Sequence, residues 1–304
     1  MNIAISVLCP YGLDQGLVVK ATELADGHPV RILIPEADLE GAMSCGAKII
    51  HTVSKLPADE NTVAHWLLDQ IVLWQPTVIL APATVQMRNI MPMLAWQLKA
   101  GLTADCTELS IDNGNLLQTR PAFGNSLMAT IKSQSDIQMA TVRPGTFPGK
   151  PKENTVPEIF HECFQNLDSR ITEESFTAYT DIIPLSQASV IISGGLGIGS
   201  KEGFQKLEKL AQKIGGTVAA SRSAVDAGFA PYRCQIGMTG VTVCPKLYIA
   251  IGISGAVQHL AGMSGSEKVI AINTDPNAPI FDYADYGIVG DWETVVDKLM
   301  EELS

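Results

Sequence analysis

The sequence predicts an α/β chain of two domains, each built on a parallel sheet. Three observations carry this. Short apolar runs alternate with helix-period segments as far as Leu98. The same alternation resumes at Val190 and runs to the C-terminus. In that second stretch, two strands run straight into glycine-rich turns that open helices. Strand, crossover helix and strand in repetition is the pattern of a parallel sheet.

The first elements follow in order. Asn2 to Leu8 reads as a strand, Leu17 to Leu24 as a helix, and Val30 to Pro35 as a second strand. After a short helix, Ala47 to Val53 is a third strand. Asn61 to Gln75 is amphipathic, with Val63, Trp66, Leu67, Ile71 and Trp74 on one face. Thr77 to Ala81 is strand-like, and Met87, Met91, Leu94, Ala95 and Leu98 mark a further helix. Beyond Gly101 come short strand-like runs: Glu108 to Ile111, Leu116 to Thr119, Met128 to Ile131 and Met139 to Val142. Gly101 to Thr107, Gln118 to Gly124 and Met139 to Gly145 read as turns with polar edges. Pro144 to Pro157 reads as an exposed loop. Ile159 to Phe164 and Ser175 to Tyr179 are candidate edge strands. The domain boundary is placed within Pro184 to Ala188, giving domains 1–186 and 187–304.

In the second domain, Val190 onward is a strand that ends in Gly194-Gly195-Leu196-Gly197-Ile198-Gly199. Phe204, Leu207, Leu210, Ala211 and Ile214 follow at helical spacing. Ser200 stands where the dinucleotide fingerprint needs its third glycine, so a nicotinamide dehydrogenase loses its main support. Thr217 to Arg222 reads as a strand that ends in a loop. Leu247 to Ile251 is a strand that turns through Gly252-Ile253-Ser254-Gly255. A helix through Ala256, Val257, Leu260 and Ala261 and a strand at Val269 to Ile272 follow. Taken alone, the Gly-Ile-Ser-Gly turn is equally well a ligand-free turn or a phosphate-binding helix start. Ala284 to Gly290 is the last strand, and Asp291 is placed to cap the closing helix.

Composition narrows the function. Of 304 residues, 21 are basic and 32 acidic, for a net charge of −11. Nucleic acid is not the expected partner, because phosphate backbones call for dense Lys and Arg. The six cysteines contain no Cys-x-x-Cys pair, which argues against zinc and iron–sulfur sites. No apolar run reaches the ~20 residues of a membrane span. The start Met-Asn-Ile-Ala-Ile-Ser, with no Lys or Arg before Lys20, reads as a strand rather than a leader. A cytoplasmic bacterial protein is expected. A serine hydrolase built on Ser254 is rejected. Gly-x-Ser-x-Gly is not met, and His259 is the last histidine, with none after a triad acid.

The longer pattern is more specific. Tyr248, the Gly-Ile-Ser-Gly turn, Gln258-His259 and Ile272-Asn273-x-Asp275 resemble, in order and spacing, the FAD signature of the electron-transfer flavoprotein alpha subunit. Gly101 to Thr107, Gln118 to Gly124 and Met139 to Gly145 resemble further motifs of that family, so the likeness covers most of the chain.

The resemblance implies a Rossmann-like first domain that contacts a beta subunit, and a doubly wound second domain that binds FAD. It implies FAD contacts at Leu196, Ser221, Arg222, Gly237, Met238, Thr239, Gly240, Ser254, Gly255, Ala256, Val257, Gln258, His259, Asn273, Asp291 and Trp292. Arg222 would lie against the isoalloxazine ring, where a cation favours reduced, negatively charged flavin. Thr239 would sit near flavin N5 and tune the half-reduced state. His259 would approach the pyrimidine oxygen and support the half-reduced anion. Asp291 and Trp292 would meet the adenosine end.

By the same resemblance the chain would be an electron carrier, not a stand-alone enzyme. It would form a heterodimer with a beta subunit and shuttle electrons between a dehydrogenase, of the acyl-CoA type used in fatty acid β-oxidation, and a redox acceptor. A bifurcating complex using NADH and a non-redox nucleotide-binding scaffold are the alternatives. Three positions depart from the family pattern: Asn125 in place of a second glycine, Leu196 in place of arginine, and Met238 in place of glutamine. Loss of a charge-assisted bond at Leu196 implies weaker FAD retention by about ten- to a hundredfold.

Overall fold

The computed structural model describes residues 3–122, 127–149, 156–164, 171, 174–175 and 185–303. Contacts divide the chain into two compact units, Met1–Thr177 and Ala178–Ser304. The candidate strand at Ser175 to Tyr179 falls largely outside the described residues, as does the Phe123-Gly124-Asn125 turn.

The first unit runs β1 (Ile5–Leu8), α1 (Gln15–Leu24), β2 (Val30–Pro35), α2 (Leu39–Ala42), β3 (Ile49–Val53), α3 (Glu60–Trp74), β4 (Val78–Pro82) and α4 (Val85–Leu98). It continues through β5 (Gly101–Cys106), β6 (Glu108–Asp112), β7 (Asn115–Ala122), β8 (Leu127–Lys132), β9 (Gln138–Val142) and β10 (Glu158–Glu162). Seven strands form one parallel sheet in the order β10-β3-β2-β1-β4-β9-β5. One face packs Val7, Ile32 and Ile34 against Leu17 and Ala21 of α1. The other packs Leu8, Leu33 and Ile79 against Leu67 of α3 and Leu94 of α4. Burial on both faces explains why these strands read as continuous apolar runs.

Two polar-edged stretches turn out to be strand, not turn. Gly101–Cys106 is β5, and Gln118 to Ala122 belongs to β7. β5 pairs with β9, with a register shift between Thr103 and Cys106. The shift uses Asp105, whose φ of +58° is left-handed and is tolerated by a short polar side chain. Arg88 holds it by donating Nε and Nη2 to Oδ1 at 3.2 and 3.0 Å. Strands β6, β7 and β8 form a separate antiparallel meander. The candidate edge strand at Ile159 to Phe164 appears as β10, parallel to β3.

The start of α1 is filled by its own chain. Asp14 caps it, accepting from Leu17 N at 2.9 Å. Burial raises the Asp14 carboxyl above its ordinary value, opposed by the amides of Leu17, Gly145 and Gly16. Gly16 lies directly against the Phe147 carbonyl, leaving no room for a Cβ.

The second unit comprises β11 (Val190–Gly194), α5 (Lys201–Lys213), β12 (Thr217–Ala220), α6 (Arg222–Asp226), β13 (Leu247–Ile251), α7 (Val257–Met263), β14 (Val269–Asn273), β15 (Tyr286–Val289) and α8 (Trp292–Glu302). Its parallel sheet has the order β12-β11-β13-β14-β15. Helices α5 and α8 cover one face, where Leu207, Leu210 and Val296 meet Ile192, Ile251 and Ile272. Leu260 and Met263 of α7 lie with Ile191, Tyr248 and Ala250 on the other. Asp291 caps α8, with Thr294 N and Oγ1 each 3.0 Å from Oδ2. Beyond β12, where a loop was expected, the chain forms α6. Ser221 caps it by accepting from Ala224 N at 3.3 Å. Among the described residues, no helix is long and apolar enough to cross a membrane.

Candidate functional site

Strand order reverses between β11 and β13, so the loops leaving their carboxyl ends diverge and open a crevice. Doubly wound sheets hold ligands at such a switch point. Here the crevice is a cavity of about 480 Å³. That falls within the roughly 300–1,000 Å³ usual for small-molecule sites.

The loops around it are locked together by backbone. Gly195 N donates to Ile251 O at 2.8 Å, and Gly197 N to Gly252 O at 3.2 Å. A Cβ on Gly195 would collide with the Gly252 carbonyl, and Gly252 has a left-handed φ of +64°. Gly255, with φ +88°, packs against the backbone of Ile280. These glycines serve turn conformation and loop-to-loop contact, a use that the sequence alone does not reveal.

The cavity brings together eleven of the sixteen residues expected at a cofactor site. They are Leu196, Ser221, Arg222, Gly237, Met238, Thr239, Ser254, Ala256, Gln258, His259 and Asn273, drawn from five separate segments of the chain. Gly240, Gly255, Val257, Asp291 and Trp292 lie outside its lining. Gly240 abuts the Gln235 carbonyl. Trp292 is buried among α5 and α8 residues, with Lys206 Nζ 5.7 Å from its ring centroid. Sequence reasoning missed Ser223, Ile236, Ala278 and Pro279, which also line the cavity. Ser223 lies in the first turn of α6, so recognising Ser221 as a cap would have found it. Ala278 and Pro279 follow β14, whose carboxyl-edge position is the available signal for them.

The side chains are held firmly. Thr239 Oγ1 accepts from Gln235 Nε2 at 3.0 Å, and Tyr232 Oη donates to the Thr239 carbonyl at 2.8 Å. Asn273 Nδ2 donates to Ile253 O at 2.8 Å, while its Oδ1 accepts from Asp275 N at 3.0 Å. Arg222 is the one cation among the lining residues and Asp275 the one carboxylate. Arg222 Nε lies 3.4 Å from Asp226 Oδ2 across one helical turn, with both side chains well exposed. Such a pair is worth only about 0.3–0.5 kcal/mol, so the guanidinium is free to turn to a ligand. His259 is 7% exposed, and burial pushes its imidazole down to about 4, so it is neutral at pH 7. Its Nε2 lies 2.9 Å from the Tyr248 hydroxyl.

A switch-point cavity walled by backbone loops, with hydroxyls, one cation and apolar positions at Leu196, Ile236 and Met238, defines a protein that holds an extended nucleotide-type cofactor. Comparison with known proteins makes this specific. Residues 184–264 match the electron transfer flavoprotein FAD-binding domain, and residues 12–159 match the electron transfer flavoprotein domain. The electron transfer flavoprotein subunit alpha of Thermoanaerobacterium thermosaccharolyticum is 44% identical over 100% of this chain and 93% of its own. That of Bacillus subtilis is 42% identical over 95% and 91%. Protein FixB of Azotobacter vinelandii is 43% identical over 93% and 83%. The chain belongs to the electron transfer flavoprotein alpha-subunit and FixB family, and its cofactor is FAD.

The cavity suits that group. Ser221 Oγ accepts from Ala224 N and so keeps its own proton to donate. Arg222 would supply the opposite charge for phosphate or reduced flavin, and Ile236 and Met238 would supply apolar wall.

Proposed function

We propose that this chain is the FAD-carrying alpha subunit of a heterodimeric electron carrier, paired with a separate beta subunit. It takes electrons from a dehydrogenase, of the acyl-CoA type, and passes them to a redox acceptor in the bacterial cytoplasm. The observation that supports this best is the convergence of Arg222, Thr239 and His259, from three separate segments, on one cavity at the switch point. FAD supplies the redox chemistry when bound. The chain's residues bind it, exclude water and bias its charge. In this reading Arg222 and His259 face the flavin ring, Ser254 and Asn273 face the phosphates and ribose, and Asp291 and Trp292 stand toward the adenosine end. Residues 1–186 form the domain that docks the beta subunit, and 187–304 the domain that holds FAD.

Leu196 and Met238 favour a second reading, a nucleotide-binding scaffold without redox activity. Both are exposed apolar residues at the cavity, 54% and 65% accessible, at positions where the family resemblance calls for polar side chains. Co-expression with the cognate beta subunit and excess FAD separates the two. A yellow heterodimer, bleached by an acyl-CoA dehydrogenase and its substrate, supports the carrier. A colourless heterodimer supports the scaffold. Two flavins per heterodimer and bleaching by NADH would instead mark a bifurcating complex.

A further inference from the structure

Tyr248 is fully buried in the central strand β13, between Ile191 of β11 and Val269 of β14. A phenol at the centre of a parallel sheet has to be satisfied from within, because an unpaired buried hydroxyl is costly. Its partner is His259 Nε2 at 2.9 Å, eleven residues ahead on α7. The rings stand 6.3 Å apart between centroids, tilted by 59°. Ser193 Oγ, also fully buried and without a well-formed hydrogen bond of its own, is the other polar group beside the phenol. Burial holds the Tyr248 hydroxyl protonated, well above its ordinary value, so it always has a proton to give.

The direction of the bond follows from the other side of the imidazole. His259 Nδ1 is buried and lacks a well-formed partner. The backbone of Ile236 acts on the imidazole in the direction that favours a proton on the ring. The Ile236 N–H is already given to Ala220 O at 2.9 Å, so only its carbonyl remains, and a carbonyl only accepts. The proton of the neutral ring therefore sits on Nδ1, which leaves Nε2 as the acceptor.

We infer that Tyr248 is a positioning residue. Its hydroxyl donates to Nε2, fixes the His259 ring, and holds the ring proton at Nδ1 on the Ile236 side of the cofactor cavity. Both Ile236 and His259 line that cavity. With Nε2 taken by the Tyr248 hydroxyl, Nδ1 is the ring nitrogen that carries the proton, and Tyr248 decides that without touching the cofactor. The functional part rests on the assignment of His259 to the flavin ring. The tautomer stands independently of it.

The test uses Tyr248→Phe, which keeps the ring and removes the hydroxyl. Nitrogen-15 NMR of the histidine-labelled full chain without FAD should show His259 as one Nδ1-protonated tautomer. In Tyr248→Phe it should become a mixture of both. In the FAD-loaded heterodimer, Tyr248→Phe should lower the first-electron potential in the same direction as His259→Ala and by less, at unchanged FAD stoichiometry. An Nε2-protonated ring in the unsubstituted chain, or one unchanged by Tyr248→Phe, overturns the inference. So does an unaltered potential. If the heterodimer proves colourless, the electron-carrier reading fails, while the NMR result still decides the tautomer. Should Tyr248→Phe not fold, the tautomer of the unsubstituted chain decides alone.

Discussion

Gly195 donates its backbone N–H to the Ile251 carbonyl at 2.8 Å, pinning the loop after β11 to the end of β13. The cavity at the switch point is lined by residues that follow these two strands. A methyl group on Gly195 would strike the Gly252 carbonyl. Gly195→Ala should therefore cost about 1–3 kcal/mol, the usual range for overpacking. A lower urea midpoint at unchanged slope is the readout. Gly290→Ala, with nothing within 4 Å of its Cβ, is the control and should stay within about 0.5 kcal/mol.

His259 should make stability depend on pH. Its folded value of about 4 lies below the ordinary 6.5, so the unfolded chain takes up the proton first. The contribution is complete above pH 6.5 and is lost as pH falls through about 4. It amounts to about 3 kcal/mol. Urea midpoints at pH 7.5 and 4.5 should fall less in His259→Gln than in the unsubstituted chain. His51 is also lowered by burial, with Glu162 opposing, but it acts equally in both and cancels.

Leu196→Arg should tighten FAD. Leu196 is exposed at the cavity, so a longer side chain fits without disturbing the core. A charge-assisted hydrogen bond of about 1.5–3 kcal/mol would improve affinity about ten- to a hundredfold. Equilibrium dialysis of the heterodimer against FAD measures it. An equal affinity would show that position 196 does not meet a phosphate.

Ser221→Asp separates the two roles of that residue. Aspartate caps helices as well as serine does, so stability should hold, whereas Ser221→Ala should lose about 1 kcal/mol. The added carboxylate joins Asp275 in the cavity, so FAD binding should weaken at low salt and recover in part at high salt. Thermal melts and FAD titrations at two ionic strengths check both halves.

Much of this arrangement is readable in the sequence, and the unread parts have physical causes. The βαβ unit from Leu247 to Asn273 is legible because its strands are buried on both faces and its turn uses glycine. Asp291 is legible as a cap because an acid directly precedes a helix-period run. β5 is not, since Thr103 looks like a loop residue until β9 pairs with it, and Asp105 sits in the register shift between the two strands. α6 is not, because five residues are too few to show a period. The purpose of Gly195 and Gly252 is also hidden. A glycine demanded by another loop looks the same in sequence as one demanded by a ligand.

The start of α1 bears on where an anion can settle on the first sheet. Its sheet also reverses order, between β1 and β4, and so has its own crevice position. There the carboxylate of Asp14 and the carbonyl of Phe147 already take the place of an incoming anion. A phosphate approaching that helix would meet negative charge and backbone oxygen instead of free amides. The first sheet thus uses its helix start to tie down its own loop, whereas the second leaves the crevice at its switch point open.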